Sequence, residues 1–299
     1  MKVLVLLGGN SPEREVSLRS GKAVAEALRG NGHQVVEYDP ADGYEGLNRF
    51  RGAIDCVFPI LHGEGGEDGE AQEQLEKLDF KFLGADSKVS KLCFDKEEFK
   101  KLLDKLSILS PRYEIVNPDS LASSDLLKKP YVLKPIDGGS SIDTLIIRDL
   151  SQKIDMSIFD RHPNMLLEEL IEGSEITVPV LGEKALPVIE IIPPEGGEFD
   201  YENKYNGATK ELCPPEHISE ENQLKAQDIA EQVHNAAGVR HLSRTDIMID
   251  NNNQHWVLEL NTMPGMTSQS LYPKSAAHAG IDMRQLVEQF LNMTTGAKH

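Results

Sequence analysis

Long apolar runs are missing from this sequence. No stretch approaches the roughly eighteen consecutive apolar residues of a membrane-spanning helix, so neither a span nor a membrane partner is expected. The opening Met1-Lys-Val-Leu-Val-Leu-Leu-Gly-Gly has an apolar run of only five residues and stops at a glycine turn. It reads as a buried first strand rather than a signal peptide. Paired thiols are missing too. Cys56, Cys93 and Cys213 stand far apart and form no CxxC, which points to a reduced, cytoplasmic setting. The nine histidines include no HxH or HExxH pair, which argues against zinc. Positive charge is scarce: 31 Lys and Arg face 49 Asp and Glu, a net charge of -18. That balance argues against non-specific binding to nucleic acid or an anionic membrane. An anionic nucleotide would have to be held by local clusters of Lys, Arg and backbone N–H groups. Low-complexity segments and internal repeats are absent.

At 299 residues the chain is long enough for two or three domains with substantial cores. A hydrophobic content of 39% and a charged content of 27% are ordinary for a globular enzyme. Strands and helices alternate over the first third: strand 2–7, helix 15–29, strands 34–39 and 54–60, helix 67–78 and strand 80–83. This is the pattern of an α/β parallel sheet with helices on its faces. Helices follow at 87–93 and 95–106. Beyond Pro111 the character becomes α+β. Strands at 131–134 and 144–148 flank a Gly-Ser loop, and a helix is expected after Asp149. Strands at 165–169, 175–181 and 185–192 read as an antiparallel sheet. Helices are expected at 219–237, 272–279 and 282–292. The boundaries fall near 85 and 169, giving units 1–85, 86–169 and 170–299.

The most informative segment is Trp256-Val-Leu-Glu259-Leu-Asn261-Thr-Met-Pro-Gly265-Met, preceded by Arg244-Thr-Asp246. Two antiparallel strands joined by Asp250-Asn-Asn-Asn aim Asp246, Glu259 and Asn261 at one point. Glu259 and Asn261 share a face because side chains alternate along a strand. Hard oxygen donors without His or Cys suit Mg2+, which completes its shell with water and phosphate. The Pro264-Gly265 break leaves a backbone N–H beside that metal. An acidic hairpin in an acidic protein is the plainer alternative.

Weaker signals lie elsewhere. Leu7-Gly8-Gly9-Asn10-Ser11-Pro12-Glu13-Arg14-Glu15-Val16-Ser17 is a strand, a glycine turn and a helix start. Glu15 there could bind an ammonium, or merely favour the helix dipole. His62-Gly63-Glu-Gly-Gly66-Glu67-Asp68-Gly69 follows a buried strand, where α/β proteins place ligands; a surface loop is the alternative. Lys134 followed by Gly138-Gly139-Ser140-Ser141 offers a charge, N–H donors and hydroxyls to phosphate, although it is not a Walker A sequence; an ordinary Gly-Ser turn is the alternative. Glu168 and Glu175 lie at a strand end and could hold ribose hydroxyls or an adenine amino group; a solvated acidic linker is the alternative. Lys204-Tyr205 lies in a polar loop. Thr267-Ser268-Gln-Ser270-Leu271 opens a helix and could bind a carboxylate or be a plain cap.

In this order and spacing the segments resemble the D-alanine–D-alanine ligases of the ATP-grasp superfamily, over about residues 2–292. The motifs that carry the resemblance are Gly8-Gly-x-Ser-x-Glu-Arg-Glu-Val-Ser, His62-Gly-x-x-Gly-Glu-Asp-Gly and Glu259-x-Asn-Thr-x-Pro-Gly-Met-Thr-x-x-Ser-Leu. The resemblance implies an ATP-grasp fold: a Rossmann-like N-terminal domain, a small central domain carrying the phosphate lid, and a C-terminal antiparallel-sheet domain. It implies ligation of two D-alanines through D-alanyl phosphate, for peptidoglycan precursor synthesis, by a cytoplasmic homodimer using ATP and two Mg2+ (or Mn2+).

The resemblance also implies roles for single residues. Glu15 holds the first ammonium, with His62 near that substrate's carboxylate. Lys96 and Lys134 contact ATP phosphates, and Lys204 reaches the γ-phosphate. Ser140 and Ser141 belong to the lid; Glu168 and Glu175 hold adenine and ribose. Asp246, Glu259 and Asn261 carry the metals. Arg244 and the Gly265 N–H stabilise the oxyanion, and Ser270 and Leu271 bind the second carboxylate. Tyr205, Ser140 and Glu15 form a triad that closes the loop, and Tyr205 favours an amine acceptor over a hydroxy acid. A different amino-acid or hydroxy-acid pair, or a degenerate nucleotide-binding paralogue, remain the alternatives.

The chain departs from the family pattern in four places. The lid reads Gly138-Gly-Ser-Ser-Ile-Asp143 in place of Glu-Gly-Ser-Ser-Val-Gly, and Asp143 is expected to put a carboxylate beside bound triphosphate, slowing closure or weakening ATP. Phe82-Leu-Gly84 replaces Tyr-Thr-Gly. Lys210-Glu-Leu212 replaces aromatic residues, and Glu169 replaces a frequent Lys.

Overall fold

The computed structural model describes residues 1–194 and 209–296. It begins with β1 (Lys2–Leu6), α1 (Arg14–Gly30), β2 (Gln34–Tyr38), β3 (Cys56–Pro59) and α2 (Glu70–Lys77). The three strands form a parallel sheet in the order β2-β1-β3. Both faces of β1 are covered. Val3 and Val5 enter one apolar cluster with α1, whereas Leu4 and Leu6 enter another with Leu47, Ala71 and Leu75. This accounts for the unbroken apolar run of β1. Residues 80–83 make only an isolated bridge, Val57 to Phe82, rather than the expected strand.

The chain continues through α3 (Ser87–Phe94), α4 (Lys96–Leu106), β4 (Tyr113–Val116), α5 (Pro118–Leu121), β5 (Tyr131–Pro135), β6 (Leu145–Ile147), α6 (Ile158–Arg161) and β7 (Met165–Glu169). The strands pair antiparallel in the order β4-β7-β5-β6. Strand β7, grouped by sequence with the strands after it, thus belongs to the earlier sheet. The helix expected after Asp149 is a turn there, and only the short α6 follows.

A second antiparallel sheet contains β8 (Gly173–Leu181), β9 (Lys184–Ala185), β10 (Ile189–Ile192), β11 (Lys210–Leu212), β12 (Leu242–Asp250) and β13 (His255–Asn261). The order is β11-β10-β8-β12-β13, with β9 beside β8. Helix α7 (Glu220–Ala237) is capped by Ser219 and ends at left-handed Gly238. It lays Ala226, Ala230 and Val233 against Ile176, Val178, Ile247 and Val257. Glu175, Asp246 and Glu259 of the same sheet line a cavity instead of that core. Helices α8 (Leu271–His278) and α9 (Met283–Thr295) then return to the first sheet, where Tyr272, Leu286 and Phe290 share a core with Val3 and Val5. The far end of the chain therefore completes the core of its beginning. Among the described residues no helix is long and apolar enough to cross a membrane.

Candidate active site

The polar faces of the two antiparallel sheets bound a slot. On β5 and β7, Leu133, Met165 and Leu167 point into a core while Val132, Lys134 and Glu168 line the slot. Across from them stand Glu175, Asp246, Met248, Leu258 and Glu259. Leu170, Ile171 and Ile146 give the slot apolar walls, and its volume is about 180 Å3. Its polar end opens on a larger cavity of about 880 Å3. The two share Lys96, Gly138, Gly139 and Glu259. The larger cavity is lined by Glu13, His62, Glu67, Arg244, Asn261 and Gly265, and reaches the start of α8.

Position along β13 is set by an irregularity. Asp246 pairs with Glu259, but Ile247 pairs with Val257, so Leu258 is an extra residue. Such a bulge changes which face follows. Val257 packs into the α7 core, whereas Glu259 and Asn261, of the same parity, line the cavities. Asp246 is buried and receives Arg244 through Nε at 2.9 Å and Nη2 at 2.8 Å, and the Thr177 hydroxyl at 2.5 Å. Arg244 also lines the larger cavity. Two carboxylates directly opposite in a sheet repel, so Asp246 and Glu259 need a cation between or beside them. Arg244 supplies one positive charge.

Lys134 Nζ lies 2.6 Å from one oxygen of Glu168, and Lys100 Nζ lies 2.7 Å from the other. Lys100 is fully buried and also donates to the Pro111 carbonyl at 2.9 Å. Burial pushes the Glu168 carboxyl up, but Lys134 and Lys100 outweigh it and hold it below the usual range. Burial lowers Lys96, opposed by Glu259; its Nζ donates to the Gly138 carbonyl at 2.7 Å.

The loop after β3 brings in His62 and Glu67. His62 is buried, and burial depresses it to about 4, so it is neutral at pH 7. Its Nδ1 bonds the Met263 carbonyl at 3.1 Å and its Nε2 meets the Ser20 hydroxyl at 3.3 Å. Ser20 also accepts the Met266 N–H at 3.2 Å. The segment bearing Gly265 is thus tied to α1 and to the first sheet. Glu67 accepts the Gly63 N–H at 2.6 Å; burial and the nearby Glu13 charge raise its carboxyl.

At the other end, Ser270 stands at the N-cap of α8 but does not cap it. Its Oγ accepts the Thr267 N–H at 3.0 Å and meets the Thr267 hydroxyl at 2.8 Å. The first-turn N–H groups of α8 stay available to an anion. A Cβ at Gly265 would lie 2.8 Å from Ser270 Oγ, so only glycine brings that backbone so close.

Comparison with known proteins fits this geometry. A family model described as D-ala D-ala ligase C-terminus matches residues 112–292. The D-alanine–D-alanine ligase of Mannheimia succiniciproducens is 38% identical over 303 residues, covering 98% of this chain and 97% of the relative. The chain belongs to the D-alanine–D-alanine ligase family. A crystal structure of the Bacillus anthracis member of the family superimposes with a TM-score of 0.85 at 31% identity, covering 98% of this chain and 97% of that one. The same ligase complexed with ATP gives a TM-score of 0.81 at 29% identity and the same coverage. The ATP-grasp architecture expected from the family resemblance is therefore that of the structure.

Most of the predicted site residues lie on the two cavities. Lys96, Lys134, Ser140, Ser141, Glu168, Glu175, His62, Arg244, Asp246, Glu259, Asn261, Gly265, Ser270 and Leu271 all line one or both. Lys204 and Tyr205 lie outside the described residues. Glu15 is corrected. It is exposed in the first turn of α1 and lines neither cavity, whereas Glu13, just before the helix, is buried and bonds the Ser140 hydroxyl. Two residues differ by about 200° around a helix, which turns Glu15 to solvent. Asp143 is corrected too. Its carboxylate bonds Arg161 Nη2 and His162 Nε2, both at 2.8 Å, and lines neither cavity. Glu168 is engaged with two lysines rather than left free for an adenine amino group. Sequence reasoning missed Lys100 and Glu67. Glu67 sat within a quoted motif; Lys100, one turn after Lys96, had only its helical spacing to mark it.

Proposed function

We propose that this protein joins two D-alanines into D-alanyl-D-alanine at the expense of ATP, in the supply of peptidoglycan precursors. The observation that carries the reading is Glu259, which lines both the slot and the larger cavity, opposite Asp246 and beside Lys96. The γ-phosphate of a nucleotide in the slot would emerge where a carboxylate in the larger cavity can meet it.

Adenine suits the apolar walls of the slot, and Glu175 suits ribose hydroxyls. Lys134, oriented by Glu168, and Lys96 face the phosphates. Glu13 takes the ammonium role expected of Glu15, which turns the first D-alanine's carboxylate toward the junction. That carboxylate attacks the γ-phosphorus, forming D-alanyl phosphate and releasing ADP. The second D-alanine lays its carboxylate on the N-terminus of α8. Its amine attacks the acyl carbon, the Arg244 guanidinium and the Gly265 N–H hold the oxyanion, and phosphate leaves. The ties through Ser140 and His62 keep water from the acyl phosphate.

Oxygen donors on one face, with two opposed carboxylates, fit a hard divalent cation. Asp246, Glu259 and Asn261 would hold Mg2+ or Mn2+, two ions by family resemblance, which would neutralise charge on the phosphates. The working form is taken to be a cytoplasmic homodimer, in line with the unpaired cysteines; sedimentation equilibrium tests the dimer. The division into units 1–85, 86–169 and 170–299 is retained as a proposal that limited proteolysis can check.

The test is phosphate release from MgATP with D-alanine as the sole amino acid, with the product weighed by mass spectrometry. D-Alanyl-D-alanine that disappears in Glu259→Gln supports the reading. Absence of D-alanine-dependent turnover in the native protein would sink it.

A further inference from the structure

The lid between β5 and β6 is held in an unusual backbone. Ser140, Ser141 and Asp143 have φ of 53°, 57° and 56°, although none is glycine. Residues there persist only where surrounding contacts over-determine them. Two such contacts lie at the front of the lid: Glu13 bonds the Ser140 hydroxyl, and Lys96 bonds the Gly138 carbonyl. The third is at the back. Asp143 receives Arg161 through Nε at 3.2 Å and Nη2 at 2.8 Å, and His162 Nε2 at 2.8 Å. Both partners come from the end of α6, on the side of the small sheet away from the slot. Ser141, Ile142 and Thr144 line the slot; Asp143 between them does not.

We propose that Asp143 is a positioning residue for the nucleotide, acting through Arg161 and His162 to anchor the back of the phosphate lid. The proposal rests on the ligase reading for its substrate, but not for its geometry. The Asp143 carboxylate goes to Arg161 and His162 at the end of α6, while its neighbours 141, 142 and 144 line the slot. The charge expected to repel triphosphate is paired with Arg161 and hydrogen-bonded to the His162 ring instead. The Arg161 pairing and the His162 bond hold Asp143 below the usual carboxylate range, so it stays ionised at neutral pH.

The experiment compares Asp143→Asn, Arg161→Gln, His162→Gln and the Asp143→Asn/Arg161→Gln double variant. Three quantities are read: the KM for MgATP against kcat, equilibrium binding of a non-hydrolysable ATP analogue, and amide hydrogen exchange over residues 138–144. The pairs are part-exposed and each is modest, so a rise of about two- to five-fold in nucleotide KM and Kd is expected for each of the first two variants. The KM for D-alanine should stay within about two-fold. The double variant should be no worse than the weaker single one, and exchange in the lid should quicken in all four. Asparagine tolerates the left-handed region, so Asp143→Asn tests the charge rather than the backbone.

Direct repulsion predicts the opposite sign for one variant: Asp143→Asn would tighten nucleotide binding while Arg161→Gln loosened it. That pattern overturns the proposal, as does unchanged binding and exchange in every variant. A native protein that binds the analogue without D-alanine-dependent turnover would defeat the ligase reading alone, because binding and exchange still report on the anchor.

Discussion

Glu13 and Glu15 give the sharpest test of the site. The two carboxylates lie two residues apart in one motif, and only one can serve the reaction. Glu13 is buried, bonds the Ser140 hydroxyl and lies against Gly63 and Gly139, where an added Cβ would sit 2.7 and 3.0 Å from its Oε2. It therefore joins the first loop, the His62 loop and the lid. Glu13→Gln keeps the shape and removes the charge. Hydrogen bonds to a charged group are worth roughly 1.5–3 kcal/mol, so kcat/KM for D-alanine should fall about 10- to 150-fold. Glu15→Gln, at an exposed first-turn position, should stay within about two-fold. The assay is D-alanine-dependent phosphate release across a D-alanine titration. A second readout follows from Glu67, which burial and the Glu13 charge hold above its usual range. Removing that charge should move Glu67 down, as seen by carboxyl carbon NMR. Loss of activity in Glu15→Gln with Glu13→Gln unharmed would refute the assignment.

Ser20→Ala should cost about 1–3 kcal/mol in a urea melt, because it leaves the His62 ring and the Met266 N–H without their buried partner. Lys100→Met leaves Glu168 with a single cation; roughly 3 kcal/mol of stability should go, the low end of a broken buried pair because Lys134 remains, and the KM for MgATP should rise while that for D-alanine holds. Urea unfolding and steady-state kinetics separate those two effects, and an unchanged nucleotide KM would remove Lys100 from the site. Glu67 has a raised carboxyl in the folded protein, so the stability it contributes is complete below its ordinary value near 4.5 and is lost as pH rises through the raised one. Glu67→Gln, a mimic of the protonated form, should therefore melt a few degrees above the native protein at about pH 9 and no higher at about pH 5; an alkaline melt no higher than native would contradict the shift.

The parallel sheet was legible because β1 and β3 are unbroken apolar runs bounded by glycine, and both are buried on two faces. The lid was legible because Lys134 precedes a Gly-Ser run too polar for a strand. What escaped was orientation. Ser11-Pro12 delays the start of α1 to Arg14, placing Glu13 before the helix and Glu15 on its outer face. The motif presents both glutamates and does not say where the first turn begins. Asp143 escaped for the same reason. Its neighbours mark a phosphate loop, but its φ of 56° and the approach of Arg161 and His162 are tertiary facts.

The oxygen donors of the hairpin show how a correct sequence reading can hide its cause. Alternation alone places Glu259 and Asn261 on one face, as the sequence implies, but it places Val257 there as well. Val257 instead belongs to the α7 core, between Ile247 and the buried alanines. Only the extra residue Leu258 reconciles the two, since it lets β13 leave the core face after Val257 and show Glu259 to the junction of the cavities. A regular ladder would force a choice between burying a carboxylate under α7, at several kcal/mol unless it took up a proton, and exposing Val257. The bulge removes that conflict at Glu259, directly opposite Asp246. The placement of Glu259 and the packing of Val257 thus turn on the same extra residue, Leu258, which is itself apolar.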